Sequence, residues 1–160
     1  MNPYASQLGD RDAMQVLAES GGRLRSLAQL LGEGRINEPL APGKWSPREV
    51  LIHLADCELA FGFRYRQALG EENHLIQPFD QDLWAKSYSG YKPEQALETF
   101  TTLRNWNLAL LRGLSTEQLA KPVTHPERGR MTFKVLIETA AGHDMNHIRQ
   151  LEAAAKKSAA

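Results

Sequence analysis

Three histidines occur where helical periodicity places apolar residues, and imidazole nitrogen is a preferred ligand of zinc and similar ions. His143 and His147 are four residues apart, so on a helix they share one face with their Cβ atoms about 5–6 Å apart. His53 lies on a second predicted helix, on the same face as Val50 and Cys57. Three histidine ligands leave one coordination position open to water or substrate, which is typical of catalytic zinc sites.

The spacing of these histidines also has a simpler interpretation, which stays open at this point. Burying three imidazoles without partners would cost about 1–3 kcal/mol for each unpaired polar group, and a shared ion removes that cost. Three hydrogen-bonded or half-exposed histidines at one end of a helical bundle would produce the same pattern. Cys57, one turn after His53, is either a fourth ligand or, more commonly for this residue, a small buried core side chain.

Two other kinds of metal site fit the sequence poorly. The segment from His143 to His147 differs from the zinc protease motif H-E-x-x-H because Asp144 replaces the glutamate that acts as general base. The part of the chain after His147 contains no further histidine to serve as a third ligand. A di-iron bundle requires Glu-x-x-His pairs, and none of the three histidines has a glutamate three residues before it.

Four segments with apolar residues at intervals of three and four predict four amphipathic helices. The first covers residues 14–31, the third about 93–113, and the fourth begins near residue 132 and continues through His147. The second begins at Ser46-Pro47-Arg48-Glu49, which supplies an N-cap serine, a proline at the first position and a capping-box glutamate, and it ends at Gly70. No alternating pattern indicates strands. The sequence therefore predicts an all-α protein, a four-helix bundle.

The connection between the second and third helices, residues 71–92, is long for a bundle loop and contains four aromatic residues. Segments of this length in compact domains are more often lids or walls of a site than passive connections. We therefore predict that Trp84 and Tyr88, together with Cys57, line a pocket. The alternative role for the aromatic residues is to cover the apolar end of the bundle. The two remaining histidines, His74 and His125, fall in predicted loops, and we expect both on the surface.

Polar residues close to the histidines in sequence are candidates for orienting the imidazoles through hydrogen bonds. Asp56 lies one turn after His53, and Gln150 lies three residues after His147. Asp144 is a third candidate, although we favour a solvated charge on the helix surface for this residue.

Charge and cysteine content narrow the class of protein. Lys plus Arg and Asp plus Glu number nineteen each, so the chain lacks the basic excess of a protein that binds nucleic acid. Cys57 is the only cysteine, which excludes a disulfide within the chain and favours a reducing compartment. No apolar run approaches the length of a membrane span. We predict one cytoplasmic domain over residues 1–160, with no nucleic-acid or membrane partner.

Two segments of the chain resemble signatures of the DinB/YfiT-like superfamily of candidate metalloenzymes. Residues 44–58, KWSPREVLIHLADCE, resemble its helix-two signature, and residues 142–151, GHDMNHIRQL, resemble its helix-four signature. Residues 79–84, FDQDLW, are similar to the middle segment of the family. Order and spacing match over residues 14–153, nearly the whole chain.

The resemblance implies up-down-down-up connectivity, with the long crossover between helices two and three. It also implies one divalent metal ion, commonly nickel or zinc, held by His53, His143 and His147, and a homodimer. Relatives frequently have a second histidine at the position of Asn146, which is not a ligand, so this departure leaves the site intact. Characterised relatives include enzymes that use low-molecular-weight thiols, such as bacillithiol transferases and mycothiol-dependent isomerases.

The expected function is therefore that of a metal-dependent enzyme which activates a low-molecular-weight thiol or water, as an S-transferase or a hydrolase would, on a small-molecule substrate. The first alternative is a noncatalytic protein that binds a small ligand through its metal, or a stress-related protein. The second is a structural dimerisation module in which the histidines belong to the core.

Overall fold

The computed structural model describes residues 2–156, which form a mainly helical structure. The helices, in chain order, are α1 (Ala5–Leu8), α2 (Ala13–Arg35), α3 (Pro47–Gly70), α4 (Gln81–Ala85), α5 (Pro93–Leu111), α6 (Thr116–Ala120) and α7 (Phe133–Lys156). The strands are β1 (His74–Leu75), β2 (Pro122–His125) and β3 (Gly129–Thr132). The predicted four-helix bundle is confirmed, since α2, α3, α5 and α7 are its four long helices. Within residues 2–156, no helix is both long and apolar enough to cross a membrane.

The start of α3 follows the prediction from its sequence. The Ser46 hydroxyl accepts a hydrogen bond from the Glu49 backbone N–H at 3.3 Å, and the Glu49 carboxylate accepts one from the Ser46 backbone N–H at 2.7 Å. Pro47 occupies the first helical position, where its missing N–H has no cost. This reciprocal cap fixes where α3 begins, and His53 follows in the second turn.

The first and last long helices run in the same direction. Arg104 of α5 donates hydrogen bonds to the Leu17 carbonyl oxygen at 2.9 Å and to the Asp144 carboxylate at 2.7 Å, which places these points of α2 and α7 side by side. Further along both helices, Arg23 forms an ion pair with Glu152. Residue numbers therefore increase in the same direction along α2 and α7.

The two middle helices are also parallel to each other. Glu58 of α3 pairs with Arg104 of α5 at 2.7 Å, and further along both helices Arg66 donates to the Asn107 side-chain oxygen at 2.8 Å. Two parallel neighbours cannot be joined by a short turn, so the chain must return over the length of the bundle. Residues 71–92 form this crossover, as predicted.

The middle pair runs opposite to the outer pair. Near the start of α3, the ring centroid of His53 lies 5.0 Å from that of His147 in α7. Near the end of α3, Tyr65 packs on Phe133 at the start of α7, with ring centroids 5.7 Å apart. Together these contacts give the predicted up-down-down-up connectivity.

A small sheet beside the bundle was not predicted from the sequence. Strand β1 in the crossover pairs in parallel with β2, which pairs antiparallel with β3. The expectation that His74 and His125 lie on the surface is wrong, because both belong to this sheet and are only 5% and 7% exposed. His74 bonds to the Glu71 carboxylate at 2.8 Å. Strands of two to four residues are too short to show an alternating pattern.

The bundle core consists of two apolar clusters, and buried polar residues interrupt the apolar sequence between them. Along α5, Arg104 and Asn107 lie between Phe100 of one cluster and Leu108 of the other. The three histidines and a separate polar layer occupy this part of the interior. We define the polar layer as the buried side chains of Glu58, Arg104, Asn107 and Asp144.

Candidate metal centre

The structure brings the three predicted metal ligands together inside the bundle. The Nε2 atom of His143 lies 3.1 Å from the Nε2 atom of His53 and 3.2 Å from the Nε2 atom of His147. All three side chains are buried. The capped start of α3 positions His53, while the four-residue spacing on α7 positions His143 and His147 one turn apart.

Hydrogen bonds between the three imidazoles cannot pair all of these nitrogen atoms. The side-chain oxygen of Gln150 lies 2.9 Å from His147 Nδ1 and accepts its hydrogen, which leaves a lone pair on His147 Nε2. His143 Nε2 carries either one proton or one lone pair, so it cannot form good hydrogen bonds with both neighbours at once. A tetrahedral ion with bonds of about 2.0–2.1 Å separates its nitrogen ligands by about 3.3 Å, close to both measured distances. The His53–His143 pair and the His143–His147 pair therefore each have the spacing expected for two ligands of one shared cation.

Burial keeps these imidazoles neutral. Burial, together with a smaller contribution from the neighbouring His147, lowers the pKa of His53 to about 3. Burial also lowers the pKa of His143 well below its usual value, with additional contributions from His147 and His53. The pKa of His147 is lowered for the same reason, although its hydrogen bond to Gln150 opposes the shift. At neutral pH the lone pairs are therefore free of protons and can bind a cation.

Cys57 lies close enough to join this group. Its Sγ atom is 3.4 Å from His53 Nε2 and 3.9 Å from His143 Nε2, and one donor atom of each of these residues lies within 4.8 Å of the others. Burial strongly raises the pKa of the Cys57 thiol, so it is protonated at neutral pH when no cation is present. Cys57 therefore packs beside the imidazoles in the core. It does not line the adjacent cavity described below, contrary to the prediction that it forms a pocket wall.

A cavity of about 640 Å³ opens beside the histidines and has His147 in its wall. Its lining is predominantly polar and includes three side-chain amides, a phenol and an ammonium group. Trp45 also belongs to the wall, and its ring centroid lies 4.9 Å from that of His53. The amides belong to Gln81, Asn146 and Gln150, the phenol to Tyr4 and the ammonium group to Lys44. Neither Tyr4 nor Trp45 is predicted as a site residue from the sequence, although Trp45 directly precedes the predicted cap of α3.

The two aromatic residues predicted to line the pocket lie elsewhere. Trp84 stacks on Phe79, with ring centroids 4.3 Å apart, and lines a different groove with exposed apolar residues of α3. Tyr88 is fully buried and packs on Trp45 with ring centroids 6.1 Å apart, so it lies behind the wall of the cavity. Neither side chain lines the cavity beside the histidines, and the aromatic residue in its wall next to His53 is Trp45.

The three acidic and amide residues near the histidines have different roles. Gln150 contacts His147 at the predicted position. Asp56 lines a groove between α3 and α5 beside Tyr88, and no hydrogen bond joins it to His53 in the described part of the chain. Asp144 is not solvated, because it is buried and pairs with Arg104. The helix directs both aspartate side chains away from the imidazoles.

The polar layer next to the histidines was missed by sequence analysis. Arg104 pairs with the Glu58 and Asp144 carboxylates at 2.7 Å each. The Asn107 amide donates to the Glu58 carboxylate at 2.8 Å. A signal for this layer is present in the sequence, because Arg104 lies four residues after Phe100 and so interrupts an apolar helix face with a charge.

Comparison with known proteins agrees with this fold. A family model for the DinB superfamily matches residues 17–151, which include all three histidines. The chain belongs to the DinB superfamily. Its relatives in this superfamily include proteins of Bacillus subtilis and Oceanobacillus iheyensis, each named as a candidate metal-dependent hydrolase.

These DinB relatives match most of the chain. The Bacillus subtilis protein YfiT is 28% identical over 144 residues, which cover 86% of this chain and 79% of YfiT. The Oceanobacillus iheyensis protein is 30% identical over 128 residues, or 79% of this chain and 74% of that protein. A solved structure of YfiT, described as a four-helix bundle of unusual topology, superposes with a TM-score of 0.86 and 25% identity, covering 92% of this chain and 86% of YfiT.

Proposed function

We propose that this DinB-superfamily protein is a metal-dependent enzyme of the hydrolase type, in which His53, His143 and His147 hold one divalent ion. The observation that carries the proposal is the convergence of three neutral imidazole nitrogens, 3.1 and 3.2 Å apart, beside a polar cavity. The candidate names of its relatives support the reaction class. Nickel and zinc are the proposed ions, because both accept imidazole ligands.

A bound divalent ion would lower the pKa of a water or thiol ligand and so supply a nucleophile at neutral pH. The protein's own residues prepare the site for this ion. Gln150 holds His147 in the tautomer whose Nε2 lone pair faces the other histidines. Trp45 covers one side of His53 and limits its contact with water. The side-chain amides of the cavity can donate hydrogen bonds to a small polar substrate.

Metal analysis of histidine variants tests the ligand assignment. We expect the purified protein, loaded with zinc or nickel and passed through a desalting column, to retain about one equivalent. His53→Ala, His143→Ala and His147→Ala should each lose it. His74→Ala is a matched control, since His74 is also buried but belongs to the small sheet, and this variant should keep the ion. Unchanged metal content in His53→Ala would contradict the assignment.

The Cys57→Ala variant distinguishes an open from a closed site. If three histidines are sufficient, this variant keeps the ion with little loss of affinity. A large loss would indicate that Sγ closes the coordination shell, which is typical of a structural site.

A substrate screen separates the two nucleophiles. The zinc and nickel forms should be tested for hydrolysis of simple esters and amides, and for transfer of low-molecular-weight thiols to an electrophile. We expect turnover that disappears in His147→Ala. Turnover only when a thiol is present would assign an S-transferase instead. Metal binding without any turnover, combined with a ligand-induced rise in melting temperature, would favour a noncatalytic binding protein.

A further inference from the structure

The N-terminal segment, residues 2–12, packs across α7 close to the histidines. Leu8 is buried among apolar residues of α7, including Ile137 and Met145. Gln7 accepts a hydrogen bond from Arg149 of the same helix. The matched family model begins only at residue 17, so this segment lies outside it. The segment thus covers part of α7, the helix on which His143 and His147 lie.

A glycine in α7 allows this segment to approach closely. A Cβ atom at position 142 would lie 2.6 Å from the backbone oxygen of Tyr4 and 2.7 Å from its Cβ atom. These distances are far below van der Waals contact, and the Tyr4 backbone would have to move away. Because Gly142 directly precedes His143, the tyrosine is docked at the metal centre.

The side chain of Tyr4 extends this contact to the histidines and the cavity. Its ring meets the His143 ring edge to face, with centroids 5.3 Å apart. It also forms part of the cavity wall with His147 and Asn146. Within residues 2–156, the Tyr4 hydroxyl forms no hydrogen bond, so its donor is not committed to another group of that part of the chain.

We infer that Tyr4 is a substrate-contacting residue of this centre. Its neutral phenol donates a hydrogen bond to an anionic or carbonyl oxygen of the substrate group that faces the histidines. The substrate class is therefore one with such an oxygen, for example an ester, amide or carboxylate derivative. This inference rests on the proposed function, because it requires the three histidines to hold a divalent ion beside the cavity.

Binding of acetohydroxamic acid tests the inference without a known substrate. This small probe has two oxygen atoms that bind divalent ions, so it should bind the zinc-loaded protein, and calorimetry measures its affinity. We expect Tyr4→Phe to bind the probe about tenfold more weakly, since a hydrogen bond to a charged oxygen is lost. Its zinc content and zinc affinity should be unchanged, because Tyr4 is not a ligand.

A second variant tests the position of Tyr4 without removing its hydroxyl. Gly142→Ala should displace the tyrosine and weaken probe binding by a similar factor, and adding Tyr4→Phe should cause no further loss. Hydrogen exchange of the amides in α1 should also become faster in the metal-free Gly142→Ala protein. Gly22→Ala is the control, because the position lies in α2 and has open space around it. That variant should match the wild type in both measurements.

The outcomes separate this inference from the proposed function. Equal probe affinity in the wild type and Tyr4→Phe would overturn the role of Tyr4 and leave the metal assignment standing. Additive losses from Gly142→Ala and Tyr4→Phe would also overturn it, because the two changes would then act independently. If the zinc-loaded wild type binds no hydroxamate, both the open metal site and the inference are wrong.

Discussion

The bundle contains two buried polar groups side by side, and they differ in how their hydrogen bonds are satisfied. In the polar layer, each charge has an opposite charge, since Arg104 contacts both Glu58 and Asp144 at 2.7 Å. Among the histidines, neutral nitrogen atoms face one another at 3.1 and 3.2 Å without enough protons to join them. The polar layer is complete within the protein, whereas the histidine cluster has a nitrogen lone pair that no proton of the cluster can pair.

This difference separates a structural from a functional polar group in the same interior. A paired buried charge needs nothing from solution, and its role is to hold α3, α5 and α7 in one arrangement. Converging lone pairs are costly unless a positive ion binds them. The polar layer contains more buried charge than the histidine cluster, but its donors and acceptors pair with one another. The histidine cluster is the better candidate for a binding site because its acceptors outnumber its donors.

We expect the largest loss of stability from a substitution that breaks the polar layer. Arg104→Ala leaves the Glu58 and Asp144 carboxylates buried without their cation, and we expect it to lower the free energy of unfolding by about 3–5 kcal/mol. Urea denaturation of the metal-free protein measures this loss. The substitution is on α5, whereas the three histidines belong to α3 and α7. The folded fraction of the variant should therefore still bind one zinc ion.

An exposed ion pair provides the matched control for this variant. Arg23 pairs with Glu152 at the surface, so Arg23→Ala should cost less than about 1 kcal/mol. A similarly small cost for Arg104→Ala would show that the polar layer does not stabilise the fold.

The second prediction concerns the pH dependence of the histidine cluster. His53 has a pKa of about 3 in the folded metal-free protein, well below the usual value of 6.5 that we expect after unfolding. Between pH 6 and 4, the unfolded chain therefore binds a proton that the folded chain does not, and stability falls as the pH is lowered. This proton contributes about 1.4 kcal/mol per pH unit.

Comparison with His53→Leu isolates this contribution. The variant should lose less stability than the wild type between pH 6 and 4, by about 2.7 kcal/mol over the two units. Urea denaturation of both metal-free proteins at several pH values checks it. Equal slopes would mean that His53 is protonated in the folded state.

The smallest expected effect concerns the hydrogen bond that orients His147 in the histidine cluster. Gln150→Leu removes the acceptor that holds His147 Nδ1–H, and we expect zinc affinity to fall about tenfold. Competition with a chromophoric chelator measures the affinity. Gln81→Leu is the control, because Gln81 lines the same cavity but has no hydrogen bond to a histidine within residues 2–156. A loss in both variants would indicate a general effect of cavity polarity.

Local sequence patterns predicted much of the fold and the positions of the histidines. The capping box at Ser46 and the four-residue spacing of His143 and His147 involve neighbours along one helix, and the structure contains both as predicted. The connectivity depended on the family resemblance, because periodicity alone does not give the direction of a helix. Periodicity did place His53 on a buried helix face, and the resemblance implied the same three ligands.

Features that depend on contacts distant in sequence were not predictable. The sequence favours a solvated charge at Asp144, and the partner that overturns this expectation, Arg104, is 40 residues away on another helix. The aromatic residues of the long crossover predict Trp84 as a pocket wall, but stacking on Phe79 places Trp84 in a different groove. Tyr4 reaches the site only because α7 has a glycine at position 142.

The connectivity of the bundle has a consequence for how the chain folds. The first long helix packs beside the last, so the Arg23–Glu152 pair closes a loop of 129 residues, and the His53–His143 contact closes one of 90 residues. Contacts so distant in sequence slow folding, because chain entropy is lost before they form. The bundle should therefore reach its native state more slowly than one of equal length whose consecutive helices are neighbours, and the three imidazoles should meet only after both halves of the chain have been synthesised.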